Sequence, residues 1–255
     1  MKHHAHLEPD IKAETERQKT ALLFRNAGVA QWVNVINASL LAYVNTTLHV
    51  SVGLAFVWWC LIVTIAAGRY QLARRFQAAA PDAVESLEWR RRYITATALA
   101  GAAWGTGTIL FMWDASNTGY LFTGLVLSGM AAGAIPILAS VPAAYRVFAL
   151  PVLIPMSAII LLQANSALDW AFGFMTLLFT GIVLMGARNL HETLDVAIRL
   201  SLETRLLAES LEQARDSAEA SLAERKNIEA MLRLDREQQA VLREMLENVV
   251  KGGPM

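Results

Sequence analysis

Long apolar stretches separated by short polar links run through most of the chain. Between Ala27 and Ala67 the sequence contains no Asp, Glu, Lys or Arg, and the same holds from Tyr93 to Trp113. A bilayer core needs about 20 apolar residues per helix, so these stretches predict membrane-spanning helices. We predict an all-α integral membrane protein whose bundle has six transmembrane helices, at about 27–44, 50–67, 93–113, 120–139, 147–162 and 170–187.

The composition supports this class of protein. Hydrophobic residues make up 55 % of the chain and charged residues 17 %, whereas soluble domains average about 45–50 % and about 25 %. These values argue against a soluble enzyme, a disordered chain and a nucleic-acid-binding protein. Because Cys60 is the one cysteine, no intrachain disulfide is expected.

Basic residues indicate the direction of the spans. Within the first 188 residues, Lys and Arg precede the first span, follow the sixth, or lie in the links after spans two and four. Cytoplasmic flanks carry the excess of Lys and Arg, so both termini are predicted to be cytoplasmic. Residues 1–25 are polar and lack a cleavable apolar core, so we expect a cytoplasmic tail and no signal peptide.

A different pattern begins after the sixth span. Residues 188–250 are rich in Ala, Glu, Leu and Arg and contain no Pro or Gly, which predicts one long helix. Alternating three- and four-residue spacings favour a two-stranded parallel coiled coil. Its predicted seam includes Leu200, Leu207, Leu211, Ala214, Ala218, Ile228, Leu232, Leu242 and Leu246.

The second half of that seam is interrupted by polar residues, at Ser221, Arg225, Asp235 and Gln239. A seam produced by chance, or an antiparallel fold-back, therefore stays open as an alternative. Two glycines and a proline at 252–254 are expected to stop the helix. The predicted parts are a cytoplasmic tail (1–25), a six-span sensor domain (26–187), a coiled-coil signalling helix (188–250) and a helix stop (251–255).

Three segments resemble bacterial multidomain signalling proteins: Trp-Arg-Arg-Arg-Tyr at 89–93, the proline-broken stretch 138–155, and residues 236–255. With six spans and a helical stalk, the first two are similar to the sensory region of diguanylate cyclases, cyclic-di-GMP phosphodiesterases and sensor histidine kinases. Residues 236–255 resemble the opening helix of a GAF domain. The resemblance implies the bacterial inner membrane and an output domain beyond Met255, so that this chain is a truncation.

The catalytic motifs of those families are not carried by this chain. GGDEF, EAL, and the phosphoacceptor and ATP-binding boxes of a kinase do not occur. His191 precedes Glu192 as in a phosphoacceptor helix but lacks the usual following Arg and Pro, so we expect a solvated helix residue. No catalytic residue and no enzymatic activity are therefore predicted for this chain.

Amide side chains at helical spacing mark the first span. Gln31, Asn34, Asn37 and Asn45 fall along one side of the predicted helix, and polar groups within a membrane need internal partners. They either line a ligand site, closed at mid-depth by Trp104, or form hydrogen bonds between helices. Both interpretations remain open.

Glycine pairs four residues apart occur in two spans. Gly101 and Gly105 lie in the third span, and Gly129 and Gly133 in the fourth. Small residues at this spacing let membrane helices approach closely. Both pairs are therefore predicted to serve helix packing.

Metal and cofactor sites are not predicted. His3, His4 and His6 fit a polar tail better than a metal site, and the methionines of the spans are scattered. A haem would need axial ligands within the membrane, and His49 belongs to a link.

The function that fits best is a membrane-embedded sensory input module. It would respond to a small hydrophobic or amphipathic ligand, or to the bilayer, and signal through a parallel homodimeric coiled coil. A membrane anchor that only dimerises is one alternative. A transporter is the other, disfavoured because the predicted spans lack the ionisable groups that mark ion pathways.

Overall fold

The computed structural model describes residues 2–25 and 27–251, with side chains described for 11–25, 27–82, 84–234, 236–239 and 243. Within these residues the structure contains helices and no strand. In chain order they are α1 (Lys2–Arg25), α2 (Ala27–Leu48), α3 (Val52–Ala79), α4 (Ala83–Met112), α5 (Asn117–Gly133), α6 (Ile135–Leu138), α7 (Pro142–Leu162) and α8 (Ala167–Lys251).

Six helical segments in the described residues are long and apolar enough to cross a bilayer, so the all-α class and the number of candidate spans are confirmed. Each predicted span corresponds to one of them. They cover Ile11–Leu48, Val52–Ala79, Val84–Met112, Asn117–Leu138, Pro142–Leu162 and Ala167–Gln239.

Side-chain caps and prolines set several helix ends. The Asp82 carboxylate accepts hydrogen bonds from the backbone N–H groups of Val84 and Glu85, at 3.0 and 2.8 Å. Such a cap satisfies donors that have no partner within the helix. Pro142 opens α7, where a missing N–H costs nothing.

Helix α4 is the centre of the bundle and packs against α7, α3, α1 and α5. Its closest approach is to α7, at two glycines. A Cβ at Gly101 would lie 2.5 Å from the carbonyl oxygen of Val147, and one at Gly105 would lie 2.3 Å from that of Pro151. Any side chain larger than hydrogen would therefore push the two backbones apart.

The prolines inside α7 explain why its carbonyls face these glycines. Pro151 and Pro155 lack the N–H that a helix would direct to the carbonyls of Val147 and Pro151. Those are the two oxygens that approach Gly101 and Gly105. Close backbone contact gives the freed oxygens Cα–H donors, a weak but recurrent interaction between packed helices.

Residues 11–25, expected as part of a tail, are helical and packed on the bundle. The Phe24 ring stacks on Phe76 with centroids 4.0 Å apart, and its edge meets the Tyr93 ring at 4.8 Å. Leu23 and Thr20 of the same helix are also fully buried. Helix α1 thus joins α3 and α4 at one end of the bundle.

The chain divides into two units, Met1–Leu200 and Ser201–Met255. In the second unit nearly every described side chain is exposed, including the predicted seam residues Leu207, Leu211, Ile228 and Leu232. The long C-terminal helix is confirmed, and the coiled coil stays a prediction. The described part does not include the side chains of Leu242, Leu246, His3, His4 and His6, or any part of residues 252–254.

Candidate functional site

A cavity of about 290 Å³ lies among α2, α3, α5, α6 and α7. Its polar lining comes from Asn34, Asn37 and Arg69, and the remaining walls are apolar. Val29 and Val33 line it and are exposed at the outer surface of the bundle, Val29 by 71 %. The cavity is therefore open to the surroundings of the bundle on the α2 side.

Arg69 is the central group of this site and is only 4 % exposed. Its Nη2 donates a hydrogen bond to the Tyr93 hydroxyl at 3.1 Å, and its guanidinium lies 5.1 Å from the centroid of the Tyr93 ring. Within the part of the chain that the structure describes, its Nε has no hydrogen-bond partner. None of the salt bridges among the described residues involves Arg69.

The sequence places Arg69 inside because α3 continues as a regular helix well past it. The buried positions of α3 recur every three or four residues, at Ala55, Trp58, Ile62, Ala66, Arg69, Ala73 and Phe76. The nearby Arg74 and Arg75 are exposed. Arg69 lies just beyond the second predicted span (50–67), yet it is buried within α3, so the bundle interior does contain an ionisable group.

A second, much smaller cavity of about 10 Å³ shares Arg69 and Asn34 with the first, and Gln31 and Trp104 also line it. The Trp104 Nε1 donates to the Asn34 Oδ1 at 3.1 Å. The Gln31 Oε1 is buried and has no hydrogen-bond partner in the described part of the chain. Roughly one water molecule fits a space of this size. Four of the predicted or newly found polar groups thus meet around one buried position.

Trp104 is held rigidly at this position. It is 1 % exposed, and its ring meets that of Trp58 edge to face, with centroids 5.3 Å apart. The Trp58 Nε1 donates to the Ala103 carbonyl at 2.8 Å. Gly107 makes room for Trp58, because a Cβ there would lie 2.6 Å from its ring.

The other predicted ligand residues separate into two groups. Asn37 lines the larger cavity and donates from Nδ2 to the Met130 sulfur at 2.9 Å. Asn45 is fully buried elsewhere and donates to the Thr123 Oγ1 at 3.2 Å. For Asn45 the contacts are those of the alternative interpretation, a hydrogen bond between helices.

The glycine pair of the fourth predicted span also has a different environment from the one expected. A Cβ at Gly129 or Gly133 would meet no atom within 4 Å, and both residues line the larger cavity. In the described chain they contact no second helix backbone, so their lack of side chains widens the cavity. Gly101 and Gly105, in contrast, allow α4 to pack closely against α7.

A series of contacts leads from the cavity to the first turns of α8 beyond residue 187. Tyr93, which binds Arg69, touches Phe24 of α1. On the same helix Lys19 forms salt bridges with Glu16 at 3.0 Å and with Asp195 of α8. Glu16 in turn pairs with Arg90 of α4.

Close to Asp195 along the chain, α8 also contacts the connection between α6 and α7. The His191 Nδ1 lies 3.2 Å from the Ser140 carbonyl oxygen, and His191 is partly buried. It is therefore in contact with the bundle, unlike the solvated residue that the sequence predicts. Within the described residues no group of three or more His, Cys, Asp or Glu is placed to hold a metal ion.

Elsewhere on the molecule, a hollow of about 740 Å³ is lined by residues of α4 alone, which makes it an open surface.

Comparison of the chain with protein-family models, with curated proteins and with solved structures gave no match.

Proposed function

We propose that this chain is a membrane-embedded sensory input module of a bacterial signalling protein. The bundle receives a signal from a ligand or the bilayer, and α8 passes it to a cytoplasmic output domain. The observation that carries this proposal is the contact series from Arg69 in the cavity through Tyr93 and Phe24 to Lys19 and Asp195.

A change at the cavity has a physical route to α8. A ligand that takes over the Arg69 guanidinium competes with Tyr93 for it, and Tyr93 is packed against Phe24 of α1. A small shift of α1 moves Lys19, the partner of Asp195. Packed helices have a few discrete arrangements. A small shift therefore changes the bundle from one packing to another and is not absorbed by gradual deformation. Coupling along this route is our hypothesis.

The proposed output path is a parallel homodimer of the segment after residue 200. Supporting it, apolar side chains at the predicted seam are exposed in the single chain, among them Leu207 at 64 % and Leu211 at 69 %. Pairing two such helices buries these side chains, which favours association. The resemblance of the sequence to cyclase, phosphodiesterase and histidine kinase input regions supports cyclic-di-GMP turnover or phosphotransfer as the output. Both termini would be cytoplasmic, in the inner membrane.

Disulfide cross-linking in bacterial membranes tests both the dimer and the relay. In a Cys60→Ser background, Ala214→Cys places a thiol on the seam, and Ala223→Cys places one on the opposite face of the same helix. We expect rapid oxidation to dimers for Ala214→Cys and at least tenfold slower oxidation for Ala223→Cys. Equal rates at the two positions would contradict the parallel seam.

The relay is tested by adding Lys19→Gln to the Ala214→Cys chain, with exposed Lys12→Gln as the matched control. The sensor predicts at least a threefold change in the cross-linking rate for Lys19→Gln and none for Lys12→Gln. A dimerising anchor, the alternative function, predicts no change for either variant.

A transporter is a second candidate, because one reason against it no longer holds. Buried ionisable residues mark substrate pathways in membrane proteins, and Arg69 is such a residue. Faster uptake of a labelled substrate by proteoliposomes that contain the chain than by proteoliposomes that contain its Arg69→Gln variant would support transport. The long α8 has no role in that interpretation.

A further inference from the structure

We propose that the cavity beside Arg69 binds a single-chain aliphatic carboxylic acid, with the carboxylate on Arg69 and the chain along the wall between α2 and α5. The assignment of the ligand class rests on the cavity itself. Its signalling consequence rests on the function proposed above.

The charge of the site argues for an anion. A buried cation is stable only when it is paired and hydrogen-bonded. Among the side chains that the structure describes, Arg69 has a neutral hydrogen-bond partner in Tyr93 and no partner for its Nε. The guanidinium presents its donors in a planar fork that matches a carboxylate. An anionic ligand would supply the missing counterion.

The distribution of polar and apolar groups argues for an amphiphile. Polar lining is limited to Arg69, Asn34 and Asn37, and the Asn37 amide donates to a thioether sulfur, which is a weak acceptor. The walls contributed by Gly129, Gly133 and other residues are apolar. A ligand with one charged end and an aliphatic body matches both parts.

The size of the cavity argues for one short chain. At about 290 Å³ the cavity lies at the lower end of the range of small-molecule pockets, about 300–1,000 Å³. That is the scale of a medium-chain acid and too small for a two-chain phospholipid. Because Val29 and Val33 are exposed at the opening, such a molecule enters sideways from the bilayer.

Binding of radiolabelled decanoate to the protein in phosphatidylcholine nanodiscs tests the proposal. Unlabelled decanoate is expected to compete at least tenfold better than decanol, which has the same chain without the charge. Arg69→Gln is expected to weaken decanoate binding at least tenfold, while Arg74→Gln, on the exposed face of α3, leaves it unchanged. Equal competition by decanol and decanoate would overturn the proposal, and so would a smaller effect of Arg69→Gln.

A second pair of variants tests the location without touching the charge. Gly133→Leu fills the cavity and is expected to abolish binding, whereas Gly124→Leu, on the same helix and also with no atom near its Cβ, leaves it intact. Retained binding in Gly133→Leu would place the ligand elsewhere and overturn the proposal. This pair and the decanol comparison remain decisive even if Arg69→Gln does not fold.

Native mass spectrometry distinguishes the other occupants of the groove. A bound two-chain phospholipid that decanoate does not displace would overturn the proposal, as would a dimer that Gly133→Leu dissociates. The same nanodiscs report on the sensor through cross-linking of Ala214→Cys. Decanoate binding without any change in cross-linking would support the proposed ligand and contradict the sensor function. A change in cross-linking on addition of decanoate, without decanoate binding at the cavity, would contradict the proposed ligand and support the sensor function.

Discussion

Two glycine pairs with the same spacing have opposite surroundings in this bundle. Gly101 and Gly105 of α4 are pressed against the backbone of α7, while Gly129 and Gly133 of α5 have no atom within 4 Å of an added Cβ. The spacing alone therefore does not decide whether two helices meet. In the first pair the opposing helix carries carbonyls freed by proline, and in the second the space is left as a cavity.

The largest expected effect on stability is at Gly101 and Gly105, the glycine pair packed against α7. Gly105→Ala places a Cβ 2.3 Å from the Pro151 carbonyl oxygen, and backbone cannot move aside as a side-chain end can. Overpacking of this kind costs about 1–3 kcal/mol, and we expect about 3 kcal/mol here. The free energy of unfolding, measured by circular dichroism on titration with SDS, checks this. Gly129→Ala is the matched control, and an equal loss in both variants would refute the contrast.

Trp104→Phe tests the boundary between the packed interface and the cavity. The variant keeps an aromatic ring but leaves the Asn34 Oδ1 without the hydrogen bond it accepts from Trp104. An unsatisfied buried acceptor costs about 1–3 kcal/mol, so we expect a loss of about 2 kcal/mol by the same titration. Trp170→Phe, at an exposed tryptophan, should change stability by less than 0.5 kcal/mol, roughly the range of surface substitutions. Unchanged stability in Trp104→Phe would mean that Asn34 finds another partner.

Gly107→Ala lies between the two extremes. Its Cβ would meet the Trp58 ring at 2.6 Å, and a side chain can shift where a backbone cannot. We expect a loss of about 1 kcal/mol, with a change in tryptophan fluorescence as the ring moves. Gly124→Ala, with open space around its Cβ, provides the comparison. A loss as large as that of Gly105→Ala would show that Trp58 is as immovable as the α7 backbone.

The smallest effect is expected at Gly129 and Gly133, the glycine pair beside the cavity, and here the substitution should stabilise the protein. Gly133→Ala meets no atom and replaces a poor helix former by a good one, which is worth up to about 1 kcal/mol. We expect a gain in the free energy of unfolding of about 0.5 kcal/mol. A clear loss would mean that a helix of a second chain occupies this space.

The six apolar helices could be predicted from the sequence because charge-free stretches of this length permit few structures. The six apolar helices and the long C-terminal helix were predicted from pattern and composition alone. The helical packing of residues 11–25 was not, because their polar composition hides a buried face formed by Thr20, Leu23 and Phe24.

The site was predicted only in part. Helical spacing was enough to group Gln31, Asn34 and Asn37, and the structure brings Trp104 to Asn34. Arg69 is not predicted as part of the site because a positive residue next to a span ordinarily marks its cytoplasmic flank. Its position on the three-to-four-residue repeat of Trp58, Ile62 and Ala66 was the available signal. The separation of Asn45 from the cavity depends on Thr123 of a distant helix, which no local pattern indicates.

The salt bridge between Lys19 and Asp195 has a consequence for how the chain is built. Lys19 precedes the first charge-free apolar stretch and Asp195 follows the sixth apolar segment, so nearly the whole bundle must be in place before the two can meet. Contacts between such remote parts of a sequence form late, since a large loop must close first. Until that moment Lys19, almost fully buried in the finished fold, has Glu16 of its own helix as its carboxylate partner among the described residues. The pair thus distinguishes a completely folded bundle from an incomplete one, and nascent chains arrested before Asp195 should be more accessible to proteases around α1.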